Sequence, residues 1–212
     1  MEQYSTDKKP QINIADGSRV FFTSDTHFSH ANILKFCQRP FKDANHMNEE
    51  LIRRWNEVVG PDDIVFHLGD FAWGGSDVWN NIMSRLNGKI YLILGNHDEK
   101  NIRQGYMGRF EWVGYQMHIT IEGRSIYLNH YPFLCYGGSY RGKDAVWQLF
   151  GHVHSKEGMT GMDKERLVNL FPTQYDVGVD NNDYRPISFR EVSDIINKQI
   201  NQYEKETDKK QR

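Results

Sequence analysis

Five short polar blocks in this chain each follow directly on an apolar run. Asp25-Thr26-His27 follows Val-Phe-Phe-Thr-Ser, Gly69-Asp70 follows Ile-Val-Phe-His-Leu, and Gly95-Asn96-His97-Asp98 follows Ile-Tyr-Leu-Ile-Leu. Asn129-His130 follows Ser-Ile-Tyr-Leu, and Gly151-His152-Val153-His154 follows Val-Trp-Gln-Leu-Phe. Apolar runs this short, rich in β-branched and aromatic residues, read as buried strands. One polar block after a strand is an ordinary turn. Five of them predict convergence at one edge of the sheets, where ligands bind in open α/β folds.

The remaining pattern supports that class. Strands are predicted over 19–24, 64–68, 89–94, 115–121, 125–129, 145–150 and 175–179, with Glu122-Gly123-Arg124 as a hairpin turn. Helical periodicity puts Leu51, Ile52, Trp55, Val58 and Val59 on one stripe of a helix over 48–59. Trp79, Ile82, Met83 and Leu86 do the same over 77–86, with Ser76 as a cap and Asn87-Gly88 as a stop. Ser188-Phe189-Arg190-Glu191 fits a capping box that opens a last helix, and a further helix covers part of 30–37. The 212 residues suit a single domain over 1–212. Its polar ends, 1–10 and about 203–212, read as solvated and flexible.

The residue types in the blocks suit a specific chemistry. Carboxylate oxygen, imidazole nitrogen and amide oxygen together favour divalent ions such as Mn, Fe, Zn or Ni. Each block also has a plainer reading. Gly-Asp after a strand is commonly only a turn, and a lone His130 at a strand end is commonly a buried, hydrogen-bonded histidine. The His152-x-His154 pair is stronger, because alternate residues of extended chain share a face. The two cysteines, Cys37 and Cys135, lack metal-type spacing and read as free thiols of a cytoplasmic protein. A formal net charge of −2 gives no bulk attraction to nucleic acid or anionic membrane. No apolar run reaches the roughly 20 residues of a membrane span.

In this order, D-x-H, GD, GNHD, H and GHxH resemble the calcineurin-like metallophosphoesterases over residues 19–180. The stretches DTHFSHANILKFCQRPF and MNEELIRRWNEVVGPDDIVFHLGD are similar to the small microbial and phage members. The resemblance implies a four-layer αββα sandwich with two mixed β-sheets. It implies that Asp25, His27 and His154 hold a first metal ion, that Asn96, His130 and His152 hold a second, and that Asp70 bridges them. His97 would then protonate the leaving oxygen as general acid, with Asp98 orienting it and raising its pKa by pairing. The fourth block, Asn129-His130-Tyr131, departs from the Gly-His form of many relatives, which bears on loop shape and not on the ligand.

The expected function is hydrolysis of a small phosphomonoester or phosphodiester. A nuclease is the alternative within that class, and a non-catalytic binding protein on the same fold is the alternative outside it. Substrate contacts are sought in His30, Arg39 and Tyr136, with Asn32, Trp73 and Arg141 as further candidates. For each the plain reading is a cap, a solvated loop or a packed ring. His46, His67 and His118 read as structural. Asp180 and Asn181 end a strand near the same rim and read as supports of the ligands.

Overall fold

The computed structural model describes residues 11–105, 109–141, 145–155 and 164–210. Strand β1 (Gln11–Ile14) is followed by β2 (Val20–Thr23), α1 (Ile33–Phe36), α2 (Ala44–Val58), β3 (Ile64–His67), α3 (Ser76–Met83) and β4 (Lys89–Ile93). Then come α4 (Glu99–Arg103), β5 (Trp112–Gly114), β6 (Gln116–Ile121), β7 (Arg124–Asn129), β8 (Trp147–Phe150), β9 (Gln174–Asp176), β10 (Ile187–Ser188) and α5 (Phe189–Lys210).

Two five-stranded mixed sheets result, in the orders β1-β6-β7-β8-β9 and β10-β2-β3-β4-β5. In the second sheet β2, β3, β4 and β5 run parallel and β10 is antiparallel to β2. In the first, β6 and β7 form the predicted antiparallel hairpin while β8 and β9 add in parallel. The sheets lie face to face. Phe22, Phe66 and Ile93 of one share a core with Met117, Ile119, Ile126, Leu128 and Leu149 of the other. Helix α5 adds Phe189, Val192 and Ile196 to that core. On the opposite flank α2 and α3 cover the second sheet, with Leu51, Ile52, Trp79 and Ile82 against Leu92, and Trp55 against Val65 and Ile90. The expected α/β sandwich of two mixed sheets flanked by helices is therefore present.

The predicted elements are all found, most of them within one or two residues. Helix α2 begins earlier than the stripe suggested, because the Asp43 carboxylate caps it by accepting from the His46 N–H at 2.8 Å. Helix α3 begins at Ser76 itself, with Gly75 in the cap position, so Ser76 is not the cap. The capping box of α5 forms in both directions: the Ser188 N–H donates to Glu191 and the Glu191 N–H to Ser188 Oγ. The C-terminal stretch is solvated as expected but is not a loose tail: α5 continues in helix to Lys210. Residues 1–10 and Gly142 of the 136–142 loop lie outside the described residues.

Candidate metal centre

The strand order brings the polar blocks together. Strands β2, β3 and β4 are parallel neighbours, so the blocks that follow them leave the same rim. Beyond the strands the first two blocks stay paired: the Asp25 N–H donates to Gly69 O, the His27 N–H to Asp70 O and the Phe28 N–H to Phe71 O, at 2.9–3.0 Å. The other sheet meets them from the side, with the Val179 N–H donating to Ser24 O, and its own two blocks are tied by the Gly151 N–H donating to His130 O.

The backbone at this rim is unusual. Asp25, His27, Asp70, His152 and His154 all have positive φ, between 45° and 71°. L-residues with side chains visit this region sparingly, at a cost of about 1 kcal/mol or more each, and such residues cluster at functional sites. The glycines between them answer a demand for space. A Cβ on Gly95 would stand 2.2 Å from Asp70 Oδ1, and one on Gly151 would stand 2.3 Å from Asp25 Oδ2. Each glycine is thus the floor on which a carboxylate from another loop rests.

Both carboxylates divide their two oxygens in the same way. Asp25 Oδ2 accepts from the His152 N–H at 2.9 Å, leaving Oδ1 buried with no hydrogen-bond partner. Asp70 Oδ1 accepts from the His97 N–H at 2.9 Å. Its Oδ2 faces imidazoles, 3.5 Å from His27 Nε2 and 3.6 Å from His130 Nε2. The histidines are pinned by their outer nitrogens. His130 Nδ1 donates to Leu68 O at 2.7 Å, and its Nε2 lies 3.2 Å from Asn96 Oδ1. His154 Nδ1 bonds Asp180 Oδ2 at 2.8 Å, and its Nε2 lies 3.9 Å from Asp25 Oδ1. A hydrogen bond at one ring nitrogen fixes which nitrogen can face a metal.

The residues therefore fall into two donor groups of metal-binding size. Asp25, His27 and His154 form one, Asp70, His130 and His152 the other, each with ligand atoms within 4.8 Å of one another. Asn96 adds its amide oxygen beside His130. The electrostatics are compatible with a cation here. Burial, then the Asp25 charge, pushes the Asp70 carboxyl above its ordinary range. Burial also raises Asp176 and holds the His27 and His130 imidazoles neutral. Neutral imidazoles beside anions that resist burial, with Asp25 Oδ1 and His27 Nε2 left without hydrogen-bond partners, fit bound divalent metal.

Three expectations change. Arg39 does not face substrate. Its side chain is buried and donates to both Asp180 oxygens at 2.7 and 2.9 Å, to Asp25 O at 2.6 Å and to Thr26 O at 2.9 Å. The fork that could have clamped a phosphate clamps the Asp180 carboxylate behind His154. Asp98 does not orient His97. It accepts from the Asp70, Phe71 and Gly95 N–H groups, tying the second block to the third, and burial raises its pKa to about 6 despite those bonds. The His97 imidazole is accordingly lowered, by burial first, and not raised by pairing. Tyr136 turns its hydroxyl to Thr173 and its ring to Tyr127 and Phe171, away from the position expected of a substrate contact.

His30 does lie at the centre's border, its Nδ1 3.4 Å from His27 Nδ1 and its ring stacked on Trp73 at 4.6 Å. His97 stands beside the donor groups with Nε2 3.9 Å from Asp70 Oδ2, its side chain 37% exposed against 3% for His27. Sequence reasoning passed over Tyr131, whose hydroxyl reaches Asn96 Oδ1 at 3.4 Å and whose ring packs on His130 and His152. Its place beside the fourth block was the available signal. It also passed over Cys37, whose buried thiol lies with His154 and Asp180.

Comparison with known proteins agrees with this geometry. Residues 18–173 match the family model of the calcineurin-like phosphoesterases. An uncharacterized protein of Methanocaldococcus jannaschii is 32% identical over 182 residues, spanning 85% of this chain and 92% of that protein. The gene 66 protein of Mycobacterium phage D29 is 28% identical over 180 residues, spanning 72% and 87%. A solved structure from Aquifex aeolicus, of a protein of unknown function, covers 83% of this chain and 98% of its own, at 26% identity and a TM-score of 0.61. The match begins just before β2 and ends just before β9, so it takes in all five polar blocks, and the chain belongs to the calcineurin-like phosphoesterases.

Proposed function

We propose that this chain is a metal-dependent phosphoric ester hydrolase acting on small phosphomonoesters or phosphodiesters. Asp25, His27 and His154 hold one divalent cation, Asn96, His130 and His152 hold another, and Asp70 is shared. The observation that carries this reading is the pair of buried donor atoms without hydrogen-bond partners, Asp25 Oδ1 and His27 Nε2, inside one group of candidate ligands. Divalent cations bound there would neutralise phosphate charge and make water nucleophilic near neutral pH.

The protein's own groups have distinct tasks. The backbone N–H groups of His152 and His97 hold one oxygen of Asp25 and of Asp70, so the other oxygen of each is fixed in direction. Leu68 O and Asp180 hold the rings of His130 and His154 in the tautomer that presents Nε2. His97 belongs to neither donor group and is partly open, which suits a proton donor to the leaving oxygen. Trp73 and His27, with ring centroids 5.7 and 5.2 Å away, limit its movement.

The test is a manganese-supplemented comparison of p-nitrophenyl phosphate with bis-p-nitrophenyl phosphate, run beside His97→Ala. Metal-dependent turnover is expected, and the variant should keep its metal while losing about a hundredfold to ten-thousandfold in rate. Full activity of the variant on a poor leaving group would remove the proton-donor role. A protein that binds these esters with metal yet never turns them over would instead be the non-catalytic binder.

A further inference from the structure

Two cavities adjoin the centre, and they differ in chemistry. The first, about 400 Å³, holds His97 and Asn96 with Trp73, Lys100, Asn101 and Gln104. The second, about 470 Å³, opens beside His152 and is walled by Tyr131, Leu134, Val153, Leu167 and Leu170. Both are of a size that holds small-molecule groups. They share no lining residue and meet where the Tyr131 hydroxyl reaches Asn96. None of the described residues lining the second cavity carries a formal charge. Leu134 is 67% exposed and Tyr131 43% exposed at its mouth, apolar surface of the kind that marks a binding site.

A phosphomonoester has one organic substituent, the one that departs, and the His97 cavity accommodates it. A phosphodiester has a second, which stays on phosphorus and points away from the departing oxygen. The cavity beside His152 lies on that other side of Asn96. An apolar wall rejects a further phosphate, because an unpaired anion there would lose its hydration without compensation. It favours an uncharged ring or branched alkyl group. We propose that the cavity beside His152 binds the substituent retained on phosphorus, and that the substrate class is a phosphodiester bearing a neutral aromatic or branched apolar group on that side. This rests on the hydrolase reading above. In the reaction a P–O bond forms from water and the ester bond on the His97 side breaks. One proton passes to the departing oxygen, leaving an alcohol and a phosphomonoester that keeps the apolar group.

The experiment holds the leaving group constant across three p-nitrophenyl esters and adds one dinucleotide. Phenyl p-nitrophenyl phosphate, methyl p-nitrophenyl phosphate, p-nitrophenyl phosphate and a thymidine dinucleotide are compared with the manganese-loaded full chain and with Leu134→Asn. Leu134 is exposed, so the substitution spares the core, and a thermal melt checks this. Burying a phenyl ring should raise kcat/KM by about tenfold over the methyl ester, and Leu134→Asn should bring that ratio towards unity. Equal rates for the two diesters, a ratio indifferent to Leu134→Asn, or a preference for the monoester or the dinucleotide would overturn the proposal. Saturation-transfer NMR with diphenyl phosphate separates the two readings if nothing is hydrolysed. Ring contact that weakens in Leu134→Asn would uphold the cavity and sink only the hydrolase, while absence of contact would overturn the cavity too.

Discussion

The two halves of the candidate centre are built differently. The half made of Asp25, His27 and His154 is braced from behind: Asp180 holds His154, and Arg39 holds Asp180 while donating to the Asp25 carbonyl. The Arg39 and Asp180 side chains are 0% and 1% exposed. In the half made of Asn96, His130 and His152, Leu68 O holds His130, and the rings of His130 and Tyr131 pack on His152. This half lies nearer the surface, with Asn96 exposed, His152 half-buried and the mouth of the apolar cavity alongside. The contrast shows preorganisation spent unevenly. One half is backed by a buried ion pair, and the other lies beside an open cavity, as suits a site that is rigid on one side and accessible on the other.

The largest expected effect comes from the joint between the halves. Asp70→Asn keeps the shape but removes the charge that faces both His27 and His130. Activity should fall by more than about a thousandfold, since the lost charge stabilisation is worth several kcal/mol. Metal content by elemental analysis should drop in both halves. Two tightly held ions in this variant would mean the halves do not share a ligand. Next comes Arg39→Met, which strips the brace and strands the buried Asp180 carboxylate. A loss of about 3–5 kcal/mol is expected, or roughly 10 °C in Tm for a chain of this length. An unchanged melting curve would show the inner half to be no more braced than the outer. The smallest effect on the centre itself belongs to Asp180→Asn, which keeps an oxygen for Arg39 and His154 but removes the charge that both of them face. Manganese titration should show one affinity reduced by about tenfold to a hundredfold and the other untouched. Equal weakening of both would dissolve the distinction.

Much of this was legible in the chain. Strand ends were readable because the inner strands are apolar runs or alternate apolar with polar residues, and the blocks after them pointed to one rim. The missed strands are β1, β5 and β10, each two to four residues long and each at a sheet edge. An edge strand is packed on one side only, so its apolar signal is weak. The misread residues failed for a different reason. Arg39 sits in a polar loop segment, and nothing local tells that its guanidinium turns inward to a carboxylate 141 positions away. Asp98 follows His97 in the chain, but adjacent side chains diverge. Its carboxylate meets backbone amides of a loop 27 and 28 residues earlier.

The resting places that Gly95 and Gly151 provide have a consequence for engineering. Asp70 sits on the loop that carries Asn96, and Asp25 on the loop that carries His152. No single loop can therefore be transplanted from a cousin with a bulkier residue at either glycine, since the clash would land on a side chain the graft did not bring. Swaps between such scaffolds should succeed only when paired loops travel together.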